Sequence, residues 1–134
     1  MNIQRGDVVR VDLGGKHDED TRGSEIYKSR RAVVIQNDMG NQHSPTTIIA
    51  PISKGHTGYP FHVNLPGSMP ELQMDSHVQL DQIRTVDISA RITQKYGQLS
   101  QSQMDDVEDA IRVSLDLLPE PDCYHRSTPA QLTG

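Results

Sequence analysis

The 134-residue sequence predicts a small, strongly bent β-sheet or barrel with one amphipathic helix on its side. Short runs of β-branched and apolar residues recur along the chain, several of them alternating with polar residues, which is the period of a half-buried strand. Connectors that contain glycine and proline separate these runs. The one long run with a helical period comes last. We expect residues 1–118 to form a single domain and residues 119–134 to form a disordered tail.

Three strands are predicted in the first half of the chain. Val8–Leu13 alternates apolar and polar residues after a turn, and is expected to be half-buried. Arg31–Gln36 is apolar on both sides after its arginine, which indicates a central strand. Thr46–Ile52 is β-branched and buried, and Pro51 indicates a bulge or the end of that strand.

The second half adds shorter elements. Phe61–Leu65 alternates and predicts a strand, His77–Arg84 predicts another, and Thr93–Leu99 returns to the sheet. A short helical turn is expected at Asp87–Ala90. The predicted connectors are Gly14–Arg30 (a mobile surface loop), Asn37–Pro45, Ser53–Pro60 and 68–76.

The final helix is predicted over Gln101–Leu118. Ser100 can cap it, and Gln103 completes a capping box three residues later. The apolar stripe that would face the sheet consists of Val107, Ile111, Leu115 and Leu118.

Composition restricts the cellular setting. No run of 18 apolar residues is present, and the N-terminus lacks the apolar core of a signal peptide. The single cysteine, Cys123, cannot form an internal disulfide. We therefore expect a cytoplasmic protein.

Charge argues against indiscriminate binding of nucleic acid, because the net charge is −5. The basic residues are nevertheless unevenly placed, so that a basic pocket on an acidic protein is compatible with the sequence. One cluster contains Arg22, Lys28, Arg30 and Arg31. With one Phe, four Tyr and no Trp, a long platform for stacking bases is not expected.

The six histidines do not predict a metal site. They show neither a helical i, i+4 pair nor a companion cysteine cluster. We expect no metal and no cofactor.

The strongest chemical candidate is Arg31, at the start of a central strand. Its planar guanidinium keeps its charge and suits phosphate. An ion pair with Asp81 or Glu25 is the structural alternative for this arginine. Ser53, placed where the chain leaves the sheet, is by itself compatible with a simple turn serine.

Read together, several segments resemble the MazF/PemK (Kid-type) toxins of bacterial toxin–antitoxin pairs. The segments occur in the order of that family, and the final helix also fits, so that the resemblance covers about residues 3–118. They are Arg5–Val9, Arg22–Glu25 with Arg31–Asp38, Asn41–Ser53 and Leu80–Asp87.

The resemblance implies an SH3-like β-barrel, a homodimer and a metal-independent endoribonuclease toxin. Such an enzyme cuts single-stranded RNA at a short recognition sequence and is neutralised by a cognate, MazE-like antitoxin. The family's catalytic arginine is assigned to Arg31 and its catalytic threonine to Ser53. The usual proline after the arginine is then Ala32. Gln79 takes the position of an arginine that some members use as a second charged group.

Further RNA contacts are expected from both loops and from one strand. The candidates are Ser24, Glu25, Lys54, Tyr59, Pro60, Gln79, Asp81 and Gln82, with Lys28 and Arg30 holding phosphates. The general base is left open among Glu25, His17 and His56. A gyrase-poisoning toxin resembling CcdB and a non-catalytic interaction module remain as alternatives.

Overall fold

A computed structural model of the chain describes residues 1–14 and 27–117. The predicted tail and most of the first predicted loop lie outside these residues. The elements are β1 (Asp7–Asp12), β2 (Ser29–Val34), α1 (Asp38–His43), β3 (Thr46–Lys54), β4 (His62–Leu65), β5 (Ser76–Gln79), β6 (Arg84–Asp87), α2 (Ile88–Arg91), β7 (Ile92–Gln98) and α3 (Gln101–Leu115).

The fold is a mainly antiparallel β-sheet with a C-terminal helix, as the sequence predicts. The strand order is β4-β5-β3-β2-β1-β7, and β6 also pairs with β3. Along one edge, β3 pairs with β6 through residues 46–49 and then with β5 through residues 52–54. Pro51 lies between these two pairings. Because no pairing in the described part of the chain joins β4 to β7, the sheet is bent but open there.

Two apolar clusters cover the two faces of the sheet. Val8, Val33 and Ala50 belong to the cluster that also contains Met104 and Val107 of α3. Their neighbours along the strands, among them Val9, Ala32, Val34 and Ile49, form the second cluster. Successive residues of β2 therefore face opposite sides of the sheet, and the consecutive residues Arg30 and Arg31 do so as well.

Helix α3 begins as predicted but ends earlier. Ser100 and Gln103 form both hydrogen bonds of the capping box. Asp116 then adopts a left-handed conformation (φ 54°) and ends the helix after Leu115, which is 49% exposed. The predicted stripe is thus correct at Val107 and wrong at Leu115, because the helix packs through its first three turns only.

Two connections differ from the prediction. The expected strand His77–Arg84 is interrupted by a turn at residues 80–83, in which the amide of Gln82 donates to the carbonyl of Gln79. The expected connector Asn37–Pro45 contains the short helix α1, capped by the Asn37 side chain, which accepts a hydrogen bond from the amide of Gly40. Within the described ranges, no helix has the length and apolar character needed to cross a membrane.

Candidate active site

A basic cavity of about 210 Å³ lies between the start of β2, the end of β3 and residues 72–76. It combines five cationic side chains with no carboxylate in its described lining, on a chain whose net charge is −5. These side chains are Arg10, Lys28, Arg30, Arg31 and Lys54. Such a concentration of one sign of charge attracts anions.

Arg30 and Ser53 meet at the edge of this cavity. The guanidinium Nη1 of Arg30 donates to the hydroxyl oxygen of Ser53 over 3.4 Å, and its Nε donates to the carbonyl of Tyr27 over 2.9 Å. Ser53 in turn donates its hydroxyl proton to Oε1 of Gln79 over 2.9 Å. Burial lowers the pKa of Arg30 from its ordinary value, and the charge of Tyr27 opposes this in part.

Arg31, the predicted catalytic arginine, also lines the cavity, but its described contacts are with residues other than Ser53. Its Nε donates to the carbonyl of Glu71 over 3.0 Å, and its guanidinium carbon lies 4.2 Å from the centre of the Tyr96 ring.

Strand register explains why Arg30, and not Arg31, contacts Ser53. Ala32 of β2 lies opposite Pro51 of β3, so that two residues further along both strands Arg30 comes beside Ser53. Adjacent residues of a strand point to opposite faces, and a shift of one position therefore reverses the face. The alternation of β2 groups Arg30 with Ala32 and Val34, but only the register with β3 shows that this is the face of Ser53.

The predicted phosphate contacts border the cavity. Lys28 lies at its opening with φ 64°, and its amide and carbonyl bond to Gly14 and Leu13 on the neighbouring chain segment. Lys54 lines the cavity with an exposed side chain at the end of β3. Ser24, one of the predicted contacts, falls outside the described residues.

The predicted base contacts lie beyond Ser53, across β5 and β4. Tyr59 and Pro60 are exposed in the loop before β4. Asp81 and Gln82 lie in the turn after β5, and Oδ1 of Asp81 accepts a hydrogen bond from Nε2 of His62 over 2.9 Å. The structure therefore spreads these residues along the sheet and does not gather them in the cavity.

The candidates for the general base are only partly described. Glu25 and His17 lie outside the described residues. His56 is hydrogen-bonded through Nε2 to the carbonyl of Leu65 over 2.9 Å. In the described part of the chain, no three His, Cys, Asp or Glu side chains come together as metal ligands.

An aromatic cluster beside these residues was missed by the sequence reasoning. Tyr59 stacks on Phe61 with 5.0 Å between ring centres, and His62 stacks on His77 with 4.7 Å between ring centres. The register places His77 opposite Ser53, and His62 opposite Gln79. The face that carries the Ser53 hydroxyl therefore continues across two strands to an exposed ring. Strand alternation in β4 and β5 was the signal available for it.

Comparison with known proteins gives a consistent result. The family model described as "PemK-like, MazF-like toxin of type II toxin-antitoxin system" matches residues 4–115. The chain is 41% identical over 117 residues to Endoribonuclease MazF of Staphylococcus epidermidis, covering 86% of this chain and 92% of that protein. It is 38% identical over 120 residues to Endoribonuclease EndoA of Bacillus subtilis (strain 168), covering 88% and 98%.

Solved structures show the same fold. An endoribonuclease from a mycobacterial species, in complex with its cognate antitoxin, superposes with a TM-score of 0.70 at 20% identity, covering 87% of this chain and 98% of that one. MazF (Form-I) from Deinococcus radiodurans gives 0.69 at 21% identity, covering 87% and 99%.

Proposed function

The chain belongs to the PemK-like, MazF-like toxins of type II toxin–antitoxin systems, and we propose that this endoribonuclease toxin cleaves single-stranded RNA with Arg30 and Ser53. The observation that carries the proposal is the Arg30–Ser53 contact at the edge of a cavity whose described lining contains cations and no carboxylate. Arg31, which the resemblance assigned to catalysis, is replaced in this role by its neighbour.

RNA supplies its own nucleophile, the 2′-OH next to the scissile phosphate. Attack on phosphorus increases the negative charge on the phosphoryl oxygens, breaks the bond to the 5′ oxygen, and yields a 2′,3′-cyclic phosphate and a 5′-OH. Arg30 stabilises the phosphoryl oxygens with two donors of its planar fork. No step of this reaction requires a metal ion.

Ser53 acts as the second donor. Its hydroxyl is directed to Gln79 in the free protein, and the phosphate oxygen takes the place of the Gln79 acceptor when RNA binds. Gln79 thus binds the hydroxyl proton in the free protein, and the hydroxyl turns from Gln79 to the phosphate when the substrate arrives.

Proton transfer needs an acid and a base. The lowered pKa of Arg30 suits donation to the leaving 5′ oxygen, in addition to its electrostatic role. We assign the base to a loop residue, Glu25, His17 or His56. A pH–rate profile without any limb between about 5 and 8 would argue against the two histidines.

Recognition follows the polar face that leads away from Ser53. Lys28 and Lys54 hold phosphates, whereas the bases are read by Tyr59 and Pro60, by Asp81 and Gln82, and by Ser24 and Glu25 of the first loop. The exposed Tyr59 ring, supported by Phe61, offers a stacking surface for one base.

The assembly follows from the family as well. We propose a homodimer that is neutralised by a MazE-like antitoxin, and the complex formed by the mycobacterial neighbour supports this. The partner change of β3 bends the sheet, which supports an SH3-like barrel. The proposed toxin domain spans residues 1–118, and an RNA substrate of this kind implies a cytoplasmic location.

The deciding experiment incubates the purified chain with a long transcript in the presence of a chelator. We expect cuts at one short sequence, with cyclic phosphate and 5′-OH ends, that a 2′-deoxy substitution at the cut nucleotide prevents. Arg30→Ala should abolish them. Intact RNA together with inhibited DNA supercoiling would instead identify a gyrase poison, and neither activity would identify an interaction module.

A further inference from the structure

Arg10 and Arg31 form a second pair of cations next to the proposed active site. They lie directly opposite each other in the β1–β2 ladder, are both half-buried, and both line the basic cavity. Like charges in such a cross-strand pair destabilise a sheet. Neither arginine takes part in an ion pair with a carboxylate of the described residues. An anion bound between them would remove this repulsion.

Tyr96 holds both guanidinium groups in place. Val8 pairs with Gly97 and Val9 pairs with Lys95, which leaves Tyr96 as the extra residue of a β-bulge in β7. A bulge redirects a side chain. Here the ring lies under the Arg31 guanidinium at 4.2 Å, and its hydroxyl accepts from Nε of Arg10 over 2.9 Å.

The contacts leave donors available. Arg31 uses Nε for the carbonyl of Glu71, and its two Nη groups have no hydrogen-bond partner in the described part of the chain. Arg10 uses Nη1 for the hydroxyl of Ser29 over 3.0 Å. The carboxylate of Glu71 lies against Gly97, with Oε2 only 2.6 Å from where a Cβ on that residue would be, and it forms no ion pair with either arginine. Both forks are thus oriented by uncharged groups, which suits bidentate binding of phosphate.

We propose that Arg10 and Arg31 bind a second backbone phosphate of the RNA, adjacent to the scissile phosphate held by Arg30 and Ser53. The side chains of Arg30 and Arg31 leave β2 on opposite faces and both line the cavity, Arg30 beside Ser53 and Arg31 beside Arg10, so that each pair can hold its own phosphate. An RNA strand that crosses the start of β2 presents one phosphate to each. This inference rests on the proposed endoribonuclease function and adds a binding site to it.

The test uses a short RNA with one mapped cut, in which single phosphates are replaced by neutral methylphosphonates. With the wild-type protein, one replacement next to the scissile position should raise KM about tenfold, the equivalent of one charge-assisted hydrogen bond. In the double variant Arg10→Gln/Arg31→Gln, the same methylphosphonate should not raise KM further. Methylphosphonates at other positions should change KM as much as they do with the wild-type protein.

Salt dependence gives an independent readout. Each phosphate neutralised on single-stranded RNA contributes about 0.7 to the slope of log K against log salt, so the double variant, which loses one phosphate site, should lose about 0.7. The matched control Arg84→Gln removes a half-buried arginine that does not line the cavity, and should keep the wild-type slope.

The outcomes separate the two claims. If the wild-type protein does not cut RNA, the proposed function fails. If it cuts, but the double variant shows the wild-type methylphosphonate pattern, only this inference fails. A fall in kcat with KM and salt slope unchanged would also overturn it, since that indicates a structural role. If the double variant does not fold, Tyr96→Phe serves in its place, because it removes only the hydroxyl that holds Arg10. This variant should raise KM about threefold for the unmodified RNA and should leave KM unchanged for the RNA with the methylphosphonate next to the scissile position.

Discussion

The guanidinium of Arg30 lies 3.4 Å from the hydroxyl oxygen of Ser53, and the two residues belong to neighbouring strands, β2 and β3. The distance is long for an N–H···O hydrogen bond, and such contacts in free enzymes shorten when substrate binds. Because both side chains stand on one face of the sheet, a phosphate at the cavity edge can contact both donors without movement of the backbone.

Replacing Arg30 tests this arrangement. Arg30→Ala should lower kcat on the order of 10²–10³-fold, because a preorganised donor to the developing charge is lost. Arg30→Lys keeps the charge without the fork, and should recover only a small part of the rate. Single-turnover cleavage of a short RNA provides the measurement, with Arg84→Gln as control. A variant Arg30→Ala that cuts at the wild-type rate would refute the assignment.

The sequence predicted the sheet and the final helix, because strand alternation and helix capping are local signals. Val8–Leu13 and the box of Ser100 and Gln103 are found nearly as expected. It did not predict which of two adjacent arginines faces Ser53, since that depends on the register between β2 and β3. The predicted strand Arg31–Gln36 begins two residues after the observed β2 (Ser29–Val34), and it carried no register against β3 by which the two arginines could be told apart.

Side-chain contacts between distant segments also could not be predicted from the sequence. The stacking of Arg31 on Tyr96 depends on a bulge between β1 and β7. The stacking of His62 on His77 depends on the pairing of β4 with β5. Alternation places His62 and His77 on one face of each strand, but the pairing that brings the two rings together is not encoded locally.

Gln79 offers a second prediction, because it accepts the Ser53 hydroxyl proton. Gln79→Glu should lower kcat/KM about tenfold or more at neutral pH, since a carboxylate binds that proton more strongly and repels the phosphate. The loss should diminish as the pH falls and the carboxyl group becomes neutral. Gln79→Leu, which removes the acceptor without adding charge, should cost less. Equal losses in the two variants at all pH values would contradict this reasoning.

Tyr59 should contribute stacking to RNA binding. Its ring is 59% exposed and is supported from behind by Phe61. Stacking of one base is worth about 1–3 kcal/mol, so Tyr59→Ala should raise Kd about tenfold, whereas Tyr59→Phe should bind as the wild type does. Fluorescence anisotropy with a 2′-deoxy substrate that cannot be cut measures the affinity. Unchanged binding by Tyr59→Ala would exclude the stacking surface.

Cleavage should not depend on divalent metal. In the proposed mechanism, the nucleophile belongs to the RNA, and charge stabilisation comes from Arg30 and Ser53. Dialysis against a chelator should therefore leave kcat within about twofold of its original value, well below the 10²-fold effect of losing one donor. Loss of activity on dialysis, followed by recovery with Mg²⁺ or Mn²⁺, would show that the mechanism is incomplete.

Gly67 should be essential for the stability of the cavity wall. A Cβ at this position would lie 2.5 Å from the amide nitrogen of Asp75 and 2.6 Å from the carbonyl carbon of Met74, so that backbone atoms must move apart. The same segment, residues 72–74, lines the basic cavity. Gly67→Ala should lower the free energy of unfolding by about 1–3 kcal/mol and reduce cleavage with it.

Gly58→Ala is the matched control, because its Cβ would meet nothing within 4 Å and a less flexible unfolded chain can raise the free energy of unfolding by up to about 1 kcal/mol. Urea unfolding of both variants measures the difference. Coincident midpoints would mean that the segment from Gly67 to Asp75 can move apart at little cost, and that this wall of the cavity is not rigid.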